Sequence, residues 1–170
     1  MSDFEFPWEY SFPPFFTIQV HEATREKQLE KWVNLIKDYQ KHTNSSNLSI
    51  GDSGLLFQNQ TINRQLPEDG RKIVLERMKK LGLAEPLDKD LSTWEVYWHT
   101  IPEWADILYN WAVENAKQNT VCTLFEITND ETQEFYKLDN AVLVKALRHL
   151  EKAGRCELIN FGDSEGVKFY

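Results

Sequence analysis

The sequence is short of most things on which catalysis or membrane passage depends. Its two cysteines, Cys122 and Cys156, are far apart and follow no pairing pattern. A disulfide framework is therefore not expected, and two reduced thiols acting as small core residues are. There are seven glycines, most of them where a helix or hairpin should stop or turn, so no glycine-rich loop can cradle a phosphate. The four histidines, His21, His42, His99 and His149, fall in no metal-ligand spacing, and neither HExxH, CxxC nor GxSxG occurs. The acidic run Asp130, Glu131, Glu134 lacks the alternating ligands and turn glycine of a calcium loop and reads as solvated surface. No apolar run approaches the ~20 residues that span a bilayer. The acidic, aromatic start lacks the basic residues and continuous apolar run of a signal peptide. Basic charge is the last shortage, with 19 Lys and Arg against 27 Asp and Glu and a net charge of −8. Residues 1–100 hold 12 basic and 15 acidic residues and 101–170 hold 7 and 12, so neither half can neutralise a run of phosphates. These shortages point to a soluble, non-catalytic chain with no cofactor, no metal and no small-molecule substrate.

Aromatic residues, by contrast, are plentiful: ten Phe, six Tyr and six Trp. They crowd into residues 4–16 (FEFPWEYSFPPFF), at alternate positions from Phe4 to Phe12 and again at Phe15 and Phe16. Pro7, Pro13 and Pro14 fix φ near −65° and remove backbone donors, which excludes a regular helix or a central strand. The stretch reads as an extended, polyproline-like arm carrying large rings. Rings in such number cannot be left in water, so the arm must lie on something. It either folds back over its own domain or docks into aromatic-lined grooves of another protein, since a preformed arm loses little entropy on binding. From the residues alone both readings stay open.

Behind the arm, helical spacing of Leu29, Trp32, Val33, Ile36 and Tyr39 predicts an amphipathic helix over 23–41. A short strand at 48–50, a brief helix near 62–66 and a second long helix after Pro67 follow, the last ending at Gly82. Residues 83–87 and 93–98 read as a β-hairpin. The same order then repeats: a helix over 102–117, a β-prone run at 121–125, and a polar stretch at 128–138 with room for a brief helix. A helix capped by Asp139 and stopped at Gly154 comes next, followed by a hairpin of 155–160 and 166–170. The halves superpose at a shift of 72 positions: Trp32 falls on Trp104, Ile36 on Leu108, Met78 on Leu150, Gly82 on Gly154, and Trp98 on Tyr170. Helix, strand, helix and hairpin within some 75 residues is a helix-turn-helix core with a β-wing. The predicted fold is α+β, mainly α. It consists of an extended proline/aromatic arm (1–22) followed by two tandem winged-helix domains (23–99 and 100–170).

Winged helices that bind DNA read the major groove with basic or amide side chains on the second long helix. The first such helix here offers Arg71, Lys72, Arg77, Lys79 and Lys80; the second offers Lys145, Arg148 and Lys152, diluted by Asp139 and Glu151. A DNA-binding or transcription-associated protein is therefore the alternative to a protein-docking adaptor, and the acidic balance makes nucleic acid the weaker choice.

The arm and the repeat together resemble one family. Phe6-Pro7-Trp8-Glu9-Tyr10, Phe12-Pro13-Pro14-Phe15-Phe16, the helix start Arg25/Lys27/Gln28/Leu29 and the ending Gly166-Val167-Lys168-Phe169-Tyr170 are similar to the vacuolar protein-sorting family that forms the small subunit of the endosomal sorting complex ESCRT-II. The resemblance covers essentially the whole chain. It implies a non-catalytic adaptor for sorting ubiquitinated cargo into multivesicular bodies, cytoplasmic and recruited to the endosome membrane, with an additional nuclear location left open. It also implies that two copies join two larger winged-helix subunits through Pro7, Trp8, Tyr10, Phe12, Pro13, Pro14, Phe15 and Phe16. The second domain is expected to recruit an ESCRT-III subunit through a face within 121–148, and the membrane is met only indirectly. The first motif has Phe6 where a proline would complete the pattern, so the second, with Phe15 and Phe16, is expected to be the firmer anchor. Truncating either ring is then expected to weaken assembly while sparing the fold.

Overall fold

The computed structural model describes residues 3–170, and the chain divides into two compact units, Met1–Trp98 and His99–Tyr170. Among the described residues, no helix is long and apolar enough to cross a membrane.

In the first unit the arm does not stay extended; it closes into two 3₁₀ turns, Trp8–Ser11 and Pro13–Phe16. The prolines allow this because φ near −65° suits a 3₁₀ turn as well as polyproline. Pro7 precedes the first turn and Pro13 and Pro14 open the second, where a missing N–H costs nothing. The Tyr10 amide donates to Pro7 O at 3.0 Å and the Phe15 amide to Phe12 O at 3.0 Å, closing the two turns.

Then follow α1 (Glu22–Thr43), β1 (Asn47–Ser49), β2 (Gln58–Asn59), β3 (Arg64–Gln65), α2 (Glu68–Lys80), β4 (Ala84–Pro86) and β5 (Thr93–Val96). The sheet runs β1-β5-β4, antiparallel throughout, with Leu48 and Pro86 both opposite Trp94. Trp32 and Ile36 of α1, Val74, Leu75 and Met78 of α2, and Trp94 and Val96 of β5 are buried together. Each large apolar side chain so placed contributes about 1.5–3 kcal/mol relative to exposure. The brief helix expected at 62–66 is absent: a 3₁₀ turn occupies Gln60–Ile62, and Arg64–Gln65 pair back on Gln58–Asn59. Asn59 explains the change, because its side-chain oxygen accepts from the Thr61 amide at 3.0 Å and caps the turn early.

The second unit contains α3 (Ile101–Glu114), β6 (Val121–Thr123), α4 (Leu124–Thr128), α5 (Asn140–Lys152), β7 (Cys156–Asn160) and β8 (Glu165–Phe169). Its sheet order, β6-β8-β7, reproduces that of the first unit. Thr100 and Glu103 make a reciprocal capping box at the start of α3, and Asp139 caps α5 by accepting from the Ala141 amide at 3.1 Å. Trp104 and Leu108 of α3 and Leu143, Leu147 and Leu150 of α5 are buried where the two helices meet, the counterparts of residues that fill the first core. The long second helices stop alike. Gly82 and Gly154 take φ of 76° and 73°, and the following amides, Leu83 and Arg155, reach back to Met78 O and Leu150 O. The β-prone run 121–125 is divided: Thr123 Oγ1 accepts from the Glu126 amide at 3.1 Å, so Leu124 and Phe125 open a helix instead of ending a strand. Cys122 and Cys156 are free and buried. Burial pushes the Cys156 thiol up to about 12, so it stays protonated at neutral pH.

Candidate protein-docking surface

The prolines of the arm remove donors and leave carbonyls without partners, and three side chains of the first unit supply them. Gln28 Nε2 donates to Phe15 O at 3.0 Å and to Thr17 O at 2.8 Å, while its oxygen accepts from the Gln19 amide at 2.9 Å. Trp32 Nε1 also donates to Phe15 O, at 3.0 Å, and Asn59 Nδ2 to Tyr10 O at 2.7 Å. The rings add packing. Phe15 lies flat on Trp32, with centroids 4.2 Å apart and planes 3° from parallel, and Phe16 meets the same indole edge-on. Tyr10 is buried with its hydroxyl against the carbonyls of Leu55 and Gln58. Desolvation, and then the nearby Tyr39, push its phenol up to about 12.

These bonds sort the arm into two faces. Tyr10, Phe15 and Phe16 are buried in the first unit, the two phenylalanines at 4% and 2% exposure. Pro7, Trp8, Phe12, Pro13 and Pro14 point to solvent, with Trp8 71% and Phe12 48% exposed and their rings 5.7 Å apart. Phe15 and Phe16 therefore belong to the core of the first unit, so truncating them is expected to damage the fold, against the expectation that their removal spares it. The exposed pair opens onto a groove of about 430 Å³ between the arm and α1, edged by Gln19, Lys27 and Lys31. Glu9, buried beside it, pairs with Lys31 at 3.6 Å.

In the second unit the start of α4 presents Phe125 at 72% exposure, next to Val121 on β6. The Thr123 cap is what turns that ring outward, and strand-like periodicity hides it. This face lies within the expected region 121–148.

The DNA-reading alternative loses part of its basis in the first unit. Arg71 is buried, donating through Nε to Leu66 O at 2.6 Å and through its guanidinium to Ile50 O at 2.5 Å. Arg77 is engaged bidentately by Glu26, at 2.5 and 2.9 Å. Two of the five basic side chains on that helix are thus withdrawn from any phosphate. On α5, Arg148 and Lys152 are exposed and His149 is a surface residue.

The profile of the family described as ESCRT-II complex subunit matches residues 9–139. Over its whole length the chain is 47% identical to the vacuolar protein-sorting-associated protein 25 of Drosophila melanogaster, with 100% of both chains covered. It is 38% identical to that of Homo sapiens, covering 98% of each. Among solved structures, the backbone is similar to the crystal structure of subunit VPS25 of the endosomal trafficking complex ESCRT-II, with a TM-score of 0.81 and 26% identity over 95% of this chain and 97% of that one. A chain in the crystal structure of the endosomal complex ESCRT-II (VPS22/VPS25/VPS36) gives a TM-score of 0.80 at 24% identity, covering 96% and 98%, a likeness of fold.

Proposed function

Because the chain belongs to the family of ESCRT-II complex subunits, we propose that it acts as a non-catalytic adaptor, held in its complex by the outer face of its arm. The observation that carries this reading is the division of the arm. Tyr10, Phe15 and Phe16 hold it on the first unit, and Trp8 and Phe12 are left as large rings in water beside exposed prolines. A rigidly mounted aromatic pair is a low-entropy anchor of the kind that dominates interface energetics. The partners are the two larger winged-helix subunits, with two copies of this chain per complex. The second unit recruits an ESCRT-III subunit, and Phe125 on the 121–148 face is its most exposed ring. The setting is cytoplasmic, at the endosome membrane reached through partners, in the sorting of ubiquitinated cargo into multivesicular bodies.

Co-purification with the two larger subunits tests this. Trp8→Ala with Phe12→Ala is expected to lower recovery of the complex at least tenfold, typical of losing a hot spot worth ~2 kcal/mol or more, with the melting of the isolated chain unchanged. Undiminished recovery would overturn the docking reading.

A further inference from the structure

The groove beside Trp8 and Phe12 has a floor of rings and proline, and almost every polar group on its walls is already used. The Gln28 amide is spent on the arm's carbonyls. Gln19 Nε2 donates to Thr17 O at 2.7 Å and Pro14 O at 3.1 Å. Thr24 is bonded to the ring of His21 at 3.4 Å, and Lys31 faces Glu9 at 3.6 Å. What remains charged is Lys27, on the α1 edge of the groove, which enters no salt bridge among the described residues. From this we infer that the groove takes a partner segment in which a bulky apolar side chain is followed closely by an aspartate or glutamate. The apolar residue packs against the Trp8 and Phe12 rings where they border the groove, and the carboxylate pairs with Lys27. This rests on the docking reading above and adds to it a chemical requirement on the partner, together with a contribution from α1 that the arm alone does not provide.

The charge pattern selects this occupant over others. An anionic membrane is recognised by clusters of four to eight basic residues, whereas here one lysine without a salt bridge stands over an apolar floor in a chain of net charge −8. A second copy of this chain seated symmetrically on the groove would bring the same lysine, like charge against like.

Titration of the full chain against the purified pair of larger subunits, at about 50 and 300 mM salt, tests the inference. Lys27 makes no bond within its own unit, so Lys27→Glu is expected to leave the melting temperature unchanged, weaken binding about tenfold at low salt, and flatten the dependence on salt. Lys27→Arg is expected to bind as the wild type does. Wild-type affinity and salt slope in Lys27→Glu would overturn the inference. If Trp8→Ala weakens binding while Lys27→Glu does not, this inference alone fails; if neither has any effect, the docking reading fails with it.

Discussion

At Phe16 the ring is enclosed by Tyr10, Phe15 and Trp32, with centroids 5.7, 5.8 and 5.6 Å away. Removing such a side chain costs its transfer free energy plus that of the cavity left behind, about 3–5 kcal/mol for Phe→Ala. Phe16→Ala is therefore expected to lower the urea midpoint of the isolated chain by that equivalent, whereas Trp8→Ala, 71% exposed, is expected to leave it unchanged. Equal midpoints for the two variants would mean the arm is not part of the core. Alternation in the sequence identifies both rings as apolar and gives no sign of which one faces inward. That choice is made by Gln28, Trp32 and Asn59, whose bonds to arm carbonyls span 11 to 49 positions and leave no mark in local spacing. The division of the arm was thus out of reach, while the need for its rings to lie on something was legible in their number and spacing.

Among the elements, the hairpin of the first unit shows how a short polar turn is fixed. Asp88 accepts from the Ser92 hydroxyl and amide, at 2.5 and 2.9 Å, and from the Thr93 hydroxyl at 2.9 Å. These bonds, the Ser92 hydroxyl foremost, hold its carboxyl down at about 2, below the ordinary 3.8. A carboxyl whose folded value is depressed stabilises the fold above its unfolded value and loses that contribution as pH falls through the folded one. Asp88→Asn is accordingly expected to destabilise the hairpin at neutral pH, and the gap from wild type to close between about pH 4 and pH 2. Amide exchange at Ser92 across that window measures it, and a pH-independent gap would assign the role of Asp88 to shape and not to charge. The sequence marks this hairpin as well as both long helices of each unit, since apolar period and stop glycines are local signals. It misplaces the pieces that side-chain caps decide: the turn at Gln60–Ile62 under Asn59 and the start of α4 under Thr123. The second of these bears on the surface proposed for the second unit, because Phe125 lies in the turn that Thr123 caps.

Across the whole molecule, the repeat at 72 positions is the feature the sequence states most clearly, and the two sheets have matching strand order. Each unit buries its own tryptophan at the matching position, Trp32 or Trp104, beneath its own second helix and sheet. What differs is what each unit leaves exposed. The first carries Trp8, Phe12 and Lys27; the second carries Phe125 and Val121. If one fold has been fitted with two unlike surfaces, the two binding activities should separate when the chain is cut between Trp98 and His99. Residues 1–98 are expected to co-purify with the larger subunits without the second half. Residues 99–170 are expected to fold alone, with lower stability because a unit of about 70 residues buries a smaller share of its surface, and to retain binding to a helix of an ESCRT-III subunit. Phe125→Asp in the full chain should then abolish that second activity and leave the first intact, since a buried carboxylate without a partner cannot be accommodated at an apolar contact. Loss of co-purification with the larger subunits in Phe125→Asp would show that the two surfaces act as one, and the adaptor would have to be understood as a single site.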